Sequence, residues 1–171
     1  MILTSLLLFV ISFFVVSFLG YWVHKVFHNP KSLWFYDAHN NHHTIQYPVL
    51  DFFSVRYRSA GNSSSFWLFL IVSLPILIAL VAFIAYGKLP IVSGIVLLGS
   101  LVGWGLLHDY IHDQFHILGS PWKRFAFFRK WREIHFLHHL NNGKNFGIIT
   151  FWCDRLFGTF ENYTKTGEND Q

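Results

Sequence analysis

The chain has 171 residues, of which 53% are hydrophobic and 20% aromatic, with only 13% charged and a mean hydropathy of +0.36. That leaves room for one domain and is too apolar for an ordinary soluble one, so the chain reads as a membrane protein. The net charge of +4 is explained by Lys and Arg flanking apolar stretches, which gives nucleic-acid binding no support; the single cysteine, Cys153, excludes an intrachain disulfide and a Cys-rich zinc site.

Ile2 to Val23 is apolar apart from Thr4, Ser5, Ser12 and Ser17. As a helix it rises about 33 Å, enough to cross a bilayer. It has no basic stretch before it and no A-x-A-like cleavage site, so it is expected to be a retained span and not a signal peptide. Tyr21 and Trp22 suit the interfacial belt, and the helix runs straight into His24 and His28. Asn29-Pro30 should break it. A second helix should carry His39, His42 and His43 until Tyr47-Pro48 ends it, and the half-polar stretch Leu50 to Tyr57 suits an interface. Gly61 to Ser65 reads as a loop. Phe66 to Tyr86 is the second expected span, kinked at Pro75, and Gly87 to Pro90 a tight turn. Ile91 to Leu107 is the third, with Gly99-x-x-x-Gly103 as a small-residue face; it continues into His108, His112 and His116. Pro121 to Leu140 reads as one basic, aromatic helix at the headgroups. Its cations Lys123, Arg124, Arg129, Lys130 and Arg132 suit anionic headgroups or an acidic electron donor, and it delivers His135, His138 and His139. The tail 161–171 is polar and should be disordered toward its end.

Three spans place every histidine on one side. Of the thirteen Lys and Arg, only Lys88 falls opposite, so the histidine side is expected to be cytoplasmic and the N-terminus outside. If 2–23 were a half-embedded hairpin, the N-terminus would be inside.

Ten of the eleven histidines fall into four boxes: His24-x-x-x-His28, His39-x-x-His42-His43, His108-x-x-x-His112 and His135-x-x-His138-His139. Spacings of three and four put imidazoles on one helix face. Neutral imidazole is the commonest metal ligand, and ten rings suffice for two transition-metal ions. An all-imidazole set favours iron, copper or zinc over magnesium or calcium. Asp109, Asp113 and Asp154 are candidates to accept the outer ring N–H of a ligating histidine. His116 lies one step beyond the repeated pattern and is expected outside the ligand set.

The four boxes in this order resemble those of the membrane-bound fatty acid hydroxylase/sterol desaturase superfamily. Asn145-Phe146-Gly147 and Asp154-Arg155-Leu156-Phe157-Gly158-Thr159 resemble its C-terminal segment, so the resemblance runs from His24 to Thr159. It implies an all-α integral membrane fold, one domain over 1–171, with about three spans (2–23, 66–86, 91–107) under a cytosolic helical cap carrying the boxes. It implies two irons held by His24, His28, His39, His42, His43, His108, His112, His135, His138 and His139, with no further catalytic residue. His116, Asp109, Asp113, Asp154 and Asn145 would support those ligands. The implied reaction uses molecular oxygen to hydroxylate or desaturate an aliphatic C–H of a membrane lipid, a fatty acyl chain or sterol; zinc can replace iron in purified protein. With no His-Pro-Gly-Gly motif and no cysteine cluster, electrons are expected from a separate ferredoxin or small cytochrome. Carotenoid hydroxylases of the same superfamily share the short length, but their first and third boxes usually have four intervening residues where this chain has three.

Three other classes compete. A b-type cytochrome explains His24, His28, His108 and His112 but not the two H-x-x-H-H boxes. A zinc hydrolase wants an H-E-x-x-H motif, which the chain lacks. A non-enzymatic metal-handling membrane protein is the better rival, and oxygen-dependent product formation separates it from an oxygenase.

Overall fold

Helix α1 (Ile2–Phe27) is unbroken from the apolar stretch through His24. The computed structural model to which it belongs describes residues 2–58, 65–87 and 89–162, with side chains for all of these except 65–73 and 76. Residues 61–64 of the expected loop 61–65, Lys88 of the expected turn and the tail beyond residue 162 lie outside the described residues, and Ser65, the last residue of that expected loop, is helical. At the end of α1, Asn29 accepts from Lys31 N at 3.0 Å and caps a short 3₁₀ turn over Pro30–Ser32. Proline disfavours helix at the residue before it, so the chain turns here. Helix α2 (Trp34–Asn41) follows, then a single π-helical turn over His42–Gln46, closed by Tyr47 N donating to His42 O at 2.9 Å.

Helix α3 (Ser65–Ala85) carries Pro75 inside it, and α4 (Ile91–His116) continues past Leu107 to the last histidine of its series. Beyond α4, Ser54 N donates to His116 O and Leu118 N to Ser54 O, both at 2.9 Å, tying the 52–54 segment to the helix end. The 121–140 stretch is two elements, not the single helix its pattern suggests. Pro121–Arg124 is a 3₁₀ turn, Phe125 is extended (φ −90°, ψ 131°), and α5 is Ala126–Leu140. The break has a physical cause. Ser120 Oγ caps the turn by accepting from Trp122 N, and Arg129 Nη1 donates to the carbonyls of Lys123 and Arg124 at 2.9 and 3.1 Å. Those oxygens are then held by a guanidinium in place of helix N–H groups. Helix α6 (Trp152–Leu156) completes an all-helical fold, with no strand among the described residues.

Helices α1 and α4 are each 26 residues, long and apolar enough to cross a membrane. Their large apolar side chains face outward: Ile2, Leu3 and Leu6 on α1, Ile91, Ile95 and Leu106 on α4. Exposed apolar surface on this scale suits lipid and is unfavourable in water. Helix α3 stands where a further span is expected. Helices α1 and α4 pack directly on each other. Trp104 lies between Phe9 and Phe13 at centroid distances of 5.0 and 4.9 Å. Higher up, Gly20 lets His108 approach so closely that a Cβ at residue 20 would lie 2.9 Å from its Nε2.

Above the apolar layer, Ile111, Phe115, Phe128, Ile148 and Ile149 form a core that joins α4, α5 and the 146–151 segment. A second cluster joins Tyr21, Phe146 and Cys153. Cys153 is buried, and burial pushes its thiol up to about 11, so it acts as a small apolar residue.

Candidate metal centre

Five elements deliver the histidines to one place. The end of α1 brings His24 and His28, α2 and the π turn bring His39, His42 and His43, α4 brings His112 and His116, and α5 brings His135, His138 and His139. They form two sets. The first is His24, His28, His39, His43 and His138; the second is His42, His112, His116 and His135. Within each set the candidate ligand nitrogens lie within 4.8 Å of one another. In the first, Nε2 of His28 is 3.0 Å from Nε2 of both His138 and His39, and His43 Nε2 is 3.0 Å from His39 Nε2. In the second, His135 and His116 Nε2 are 3.1 Å apart. The π turn separates neighbours in sequence: His43 joins His39 in the first set, while the His42 ring lies against those of His112 (tilted) and His116 (edge-on), each at 4.8 Å. π turns recur at functional sites because they re-aim side chains within a helix.

His139 stands between the sets, its ring 4.0 Å from that of His43 and 4.9 Å from those of His116 and His135. His116, expected outside the ligand set, lies inside the second one and is fully buried. His108, expected as a ligand, belongs to neither set and packs against Gly20 of α1.

Backbone carbonyls fix the ring tautomers. Nδ1 of His24 lies 2.7 Å from Phe146 O, that of His138 2.6 Å from Lys144 O, that of His139 3.0 Å from Tyr47 O, and that of His116 3.1 Å from Phe52 O. A carbonyl only accepts, so each Nδ1 carries the proton and each neutral ring presents a bare Nε2 lone pair. Burial, reinforced by the neighbouring imidazoles, holds His39, His42, His43, His135 and His138 well below the ordinary imidazole value; it holds His139 at about 3. The rings are therefore neutral at neutral pH, which is the ligand form. Several of these atoms have no hydrogen-bond partner among the described residues: Nε2 of His24, His42 and His139, both nitrogens of His112, and Nδ1 of His43 and His135. Buried polar atoms left unpaired are unfavourable. A cation in each set would satisfy converging lone pairs, and an imidazole-only set suits iron, copper or zinc, so the residues fit metal binding.

The C-terminal motif supports the rings from behind. Asp154, fully buried, accepts from Phe146 N and Gly147 N at 2.8 Å each and from Thr159 Oγ1 at 2.9 Å. Burial pushes its carboxyl up and these bonds oppose that shift. The sequence suggested that Asp154 accepts a histidine ring N–H. Instead it holds the N–H groups of Phe146 and Gly147, and the Phe146 carbonyl accepts the hydrogen bond from His24 Nδ1–H. Gly147 has to be glycine, since a Cβ there would collide with Thr150 O and lie 2.8 Å from Asp154 Oδ2. Asn145, at φ +56°, donates from Nδ2 to Glu161 O at 2.9 Å and accepts from Glu161 N at 2.8 Å, which fixes the turn after Lys144. Tyr21 OH, 3.2 Å from Thr159 Oγ1, links α1 to the same motif. Asp109 and Asp113 are half-buried on α4. The roles of the Phe146, Lys144, Tyr47 and Phe52 carbonyls left no mark in the sequence, because a carbonyl belongs to every residue.

The family model described as fatty acid hydroxylase matches residues 9–159. No curated protein and no solved structure matches the chain.

Proposed function

Since the chain belongs to the fatty acid hydroxylase family, we propose that it is a di-iron, oxygen-dependent oxidoreductase that hydroxylates or desaturates an aliphatic C–H of a membrane lipid, such as a fatty acyl chain or sterol. The observation that carries this reading is the pair of adjacent, neutral histidine sets at the mouth of two apolar helices, the second set buried throughout and the first buried except for the half-buried His28 and His39. One ion would be held by His24, His28, His39, His43 and His138, the other by His42, His112, His116 and His135, with His139 placed to serve either. When bound, two irons supply the reduction of dioxygen to an oxidant able to attack an unactivated C–H, chemistry that no protein side chain provides.

The protein's own part is binding, orientation and exclusion of water. The carbonyls of Phe146, Lys144, Tyr47 and Phe52 hold four rings in one tautomer. Phe115, packed against both Phe128 and the His135 ring at centroid distances of 5.2 Å, covers one side of the second set. An acyl chain reaches such a site from the bilayer along α1 and α4, whose outward faces are apolar. Electrons come from a separate ferredoxin or small cytochrome, since one cysteine cannot hold an iron–sulfur cluster. The histidine side faces the cytoplasm, consistent with the positions of the Lys and Arg residues.

The test is to reconstitute the iron-loaded chain in lipid vesicles with a reducing system and ¹⁸O₂, then examine the lipids by mass spectrometry. The expected product carries ¹⁸O in a new hydroxyl, or has lost two hydrogens, only when dioxygen and electrons are both present and not with His135→Ala. Unchanged lipid from a wild-type chain holding both irons, across acyl and sterol substrates, overturns the proposal.

A further inference from the structure

A cavity of about 680 Å³ opens beside α5, with no histidine in its lining, bounded by Gly119, Ser120, Lys123, Arg124, Arg129 and Arg132, with Glu133 as its one acid. Glu133 pairs with Lys130 at 3.7 Å, and among the described residues none of the four lining cations has a carboxylate partner. Two of the guanidinium groups are held in place by backbone. Arg129 donates to Lys123 O and Arg124 O, and Arg132 Nη2 donates to Gln114 O at 3.0 Å and Ile117 O at 2.9 Å. Arg132 also lies over the rings of Phe53 and Phe128 at 5.3 and 5.1 Å. Four cations around one concavity, two of them already oriented, suit a phosphate-bearing anion, since a guanidinium fork matches phosphate oxygens.

The cavity's position identifies the carrier of that phosphate. Trp122, next in sequence to the lining residues Pro121 and Lys123, donates from Nε1 to Tyr110 OH at 3.1 Å, one turn above the apolar part of α4. Trp122 and Trp131 pack into the same cluster as Phe13 of α1 and Leu107 of α4, the residues of the apolar layer. Phe125 and Phe127, beside the cavity, are 37% and 46% exposed. Apolar rings turned outward next to a ring of cations, where a helix leaves the bilayer, are the pattern of a surface seated among headgroups. The geometry points to a binding site for the phosphate of an anionic phospholipid, built by Lys123, Arg124, Arg129 and Arg132 where the break at Phe125 opens the basic segment. It stands independently of the oxidation chemistry.

The test is calorimetric titration of the full chain, purified in a non-ionic detergent, with short-chain phosphatidic acid, short-chain phosphatidylcholine and inorganic phosphate. Lys123→Gln/Arg124→Gln is the variant, because neither side chain makes a hydrogen bond among the described residues. Phosphatidic acid is expected to bind saturably, phosphatidylcholine about tenfold more weakly or less, and the variant to lose about tenfold in affinity for phosphatidic acid, with wild-type binding weakened by salt. Equal binding of the two lipids, or an unaltered variant, overturns the site. Inorganic phosphate binding as tightly as the lipid overturns the headgroup assignment in favour of a soluble phosphate ligand.

Discussion

Changing His116 to alanine is expected to remove one metal ion per chain, taking iron-loaded protein from two ions to one, while His108→Ala leaves both in place. His116 Nδ1–H is held by Phe52 O, its Nε2 faces that of His135 at 3.1 Å, and its ring is fully buried. It is one of only four rings in the second set, and three imidazoles hold an ion less well than four. His108 points at Gly20, outside both sets. Metal analysis of the two purified variants decides the matter, with circular dichroism to confirm that each remains helical. Activity should fall by a factor of a hundred or more in His116→Ala, a larger loss than the roughly 10–100-fold typical of removing a group that only supports a ligand. If His108→Ala loses the ion and His116→Ala keeps it, the second set is wrongly composed.

Asp154→Ala is expected to have the largest effect on stability of any change outside the histidines. Two buried backbone N–H groups, of Phe146 and Gly147, lose their acceptor together with the Thr159 hydroxyl. A buried donor without a partner costs about 1–3 kcal/mol, so the loss is roughly 2–6 kcal/mol for the two amides. Thermal or denaturant unfolding of the detergent-solubilised variant measures it. The same peptide carries the carbonyl that orients His24, so iron should also bind about 10–100-fold more weakly. A variant with wild-type stability and iron affinity would show that the 146–147 loop holds itself.

The spans and boxes were legible because their signals are periodic. Apolar runs at 2–23 and 91–107 predict helices α1 and α4, and spacings of three and four predict shared faces. The choice between His108 and His116 was not legible from spacing, since His108-x-x-x-His112 and His112-x-x-x-His116 repeat the same interval. What decides is height along α4. His108 is still at the level of Gly20, while His116 has risen to the level of α5 and the His42 turn. The π turn was hidden too, because widening a helix by one residue changes the hydrogen-bond partner and leaves the composition untouched. The break at Phe125 was written less faintly: Ser120-Pro121 is a cap followed by the residue that best starts a turn. By pattern the basic residues around it suit one interfacial helix, and the break instead gathers them into a cavity. Asp154 was visible as a carboxylate near the site, but its action through a peptide bond depends on the tertiary fold.

The most direct measurement of the central claim is the metal content and visible spectrum of the detergent-purified chain from iron-replete cells. Two histidine sets that each complete one site predict close to two irons per chain and no Soret band. A Soret band, or no more than one ion per chain after iron loading, would contradict a di-iron centre built from these rings.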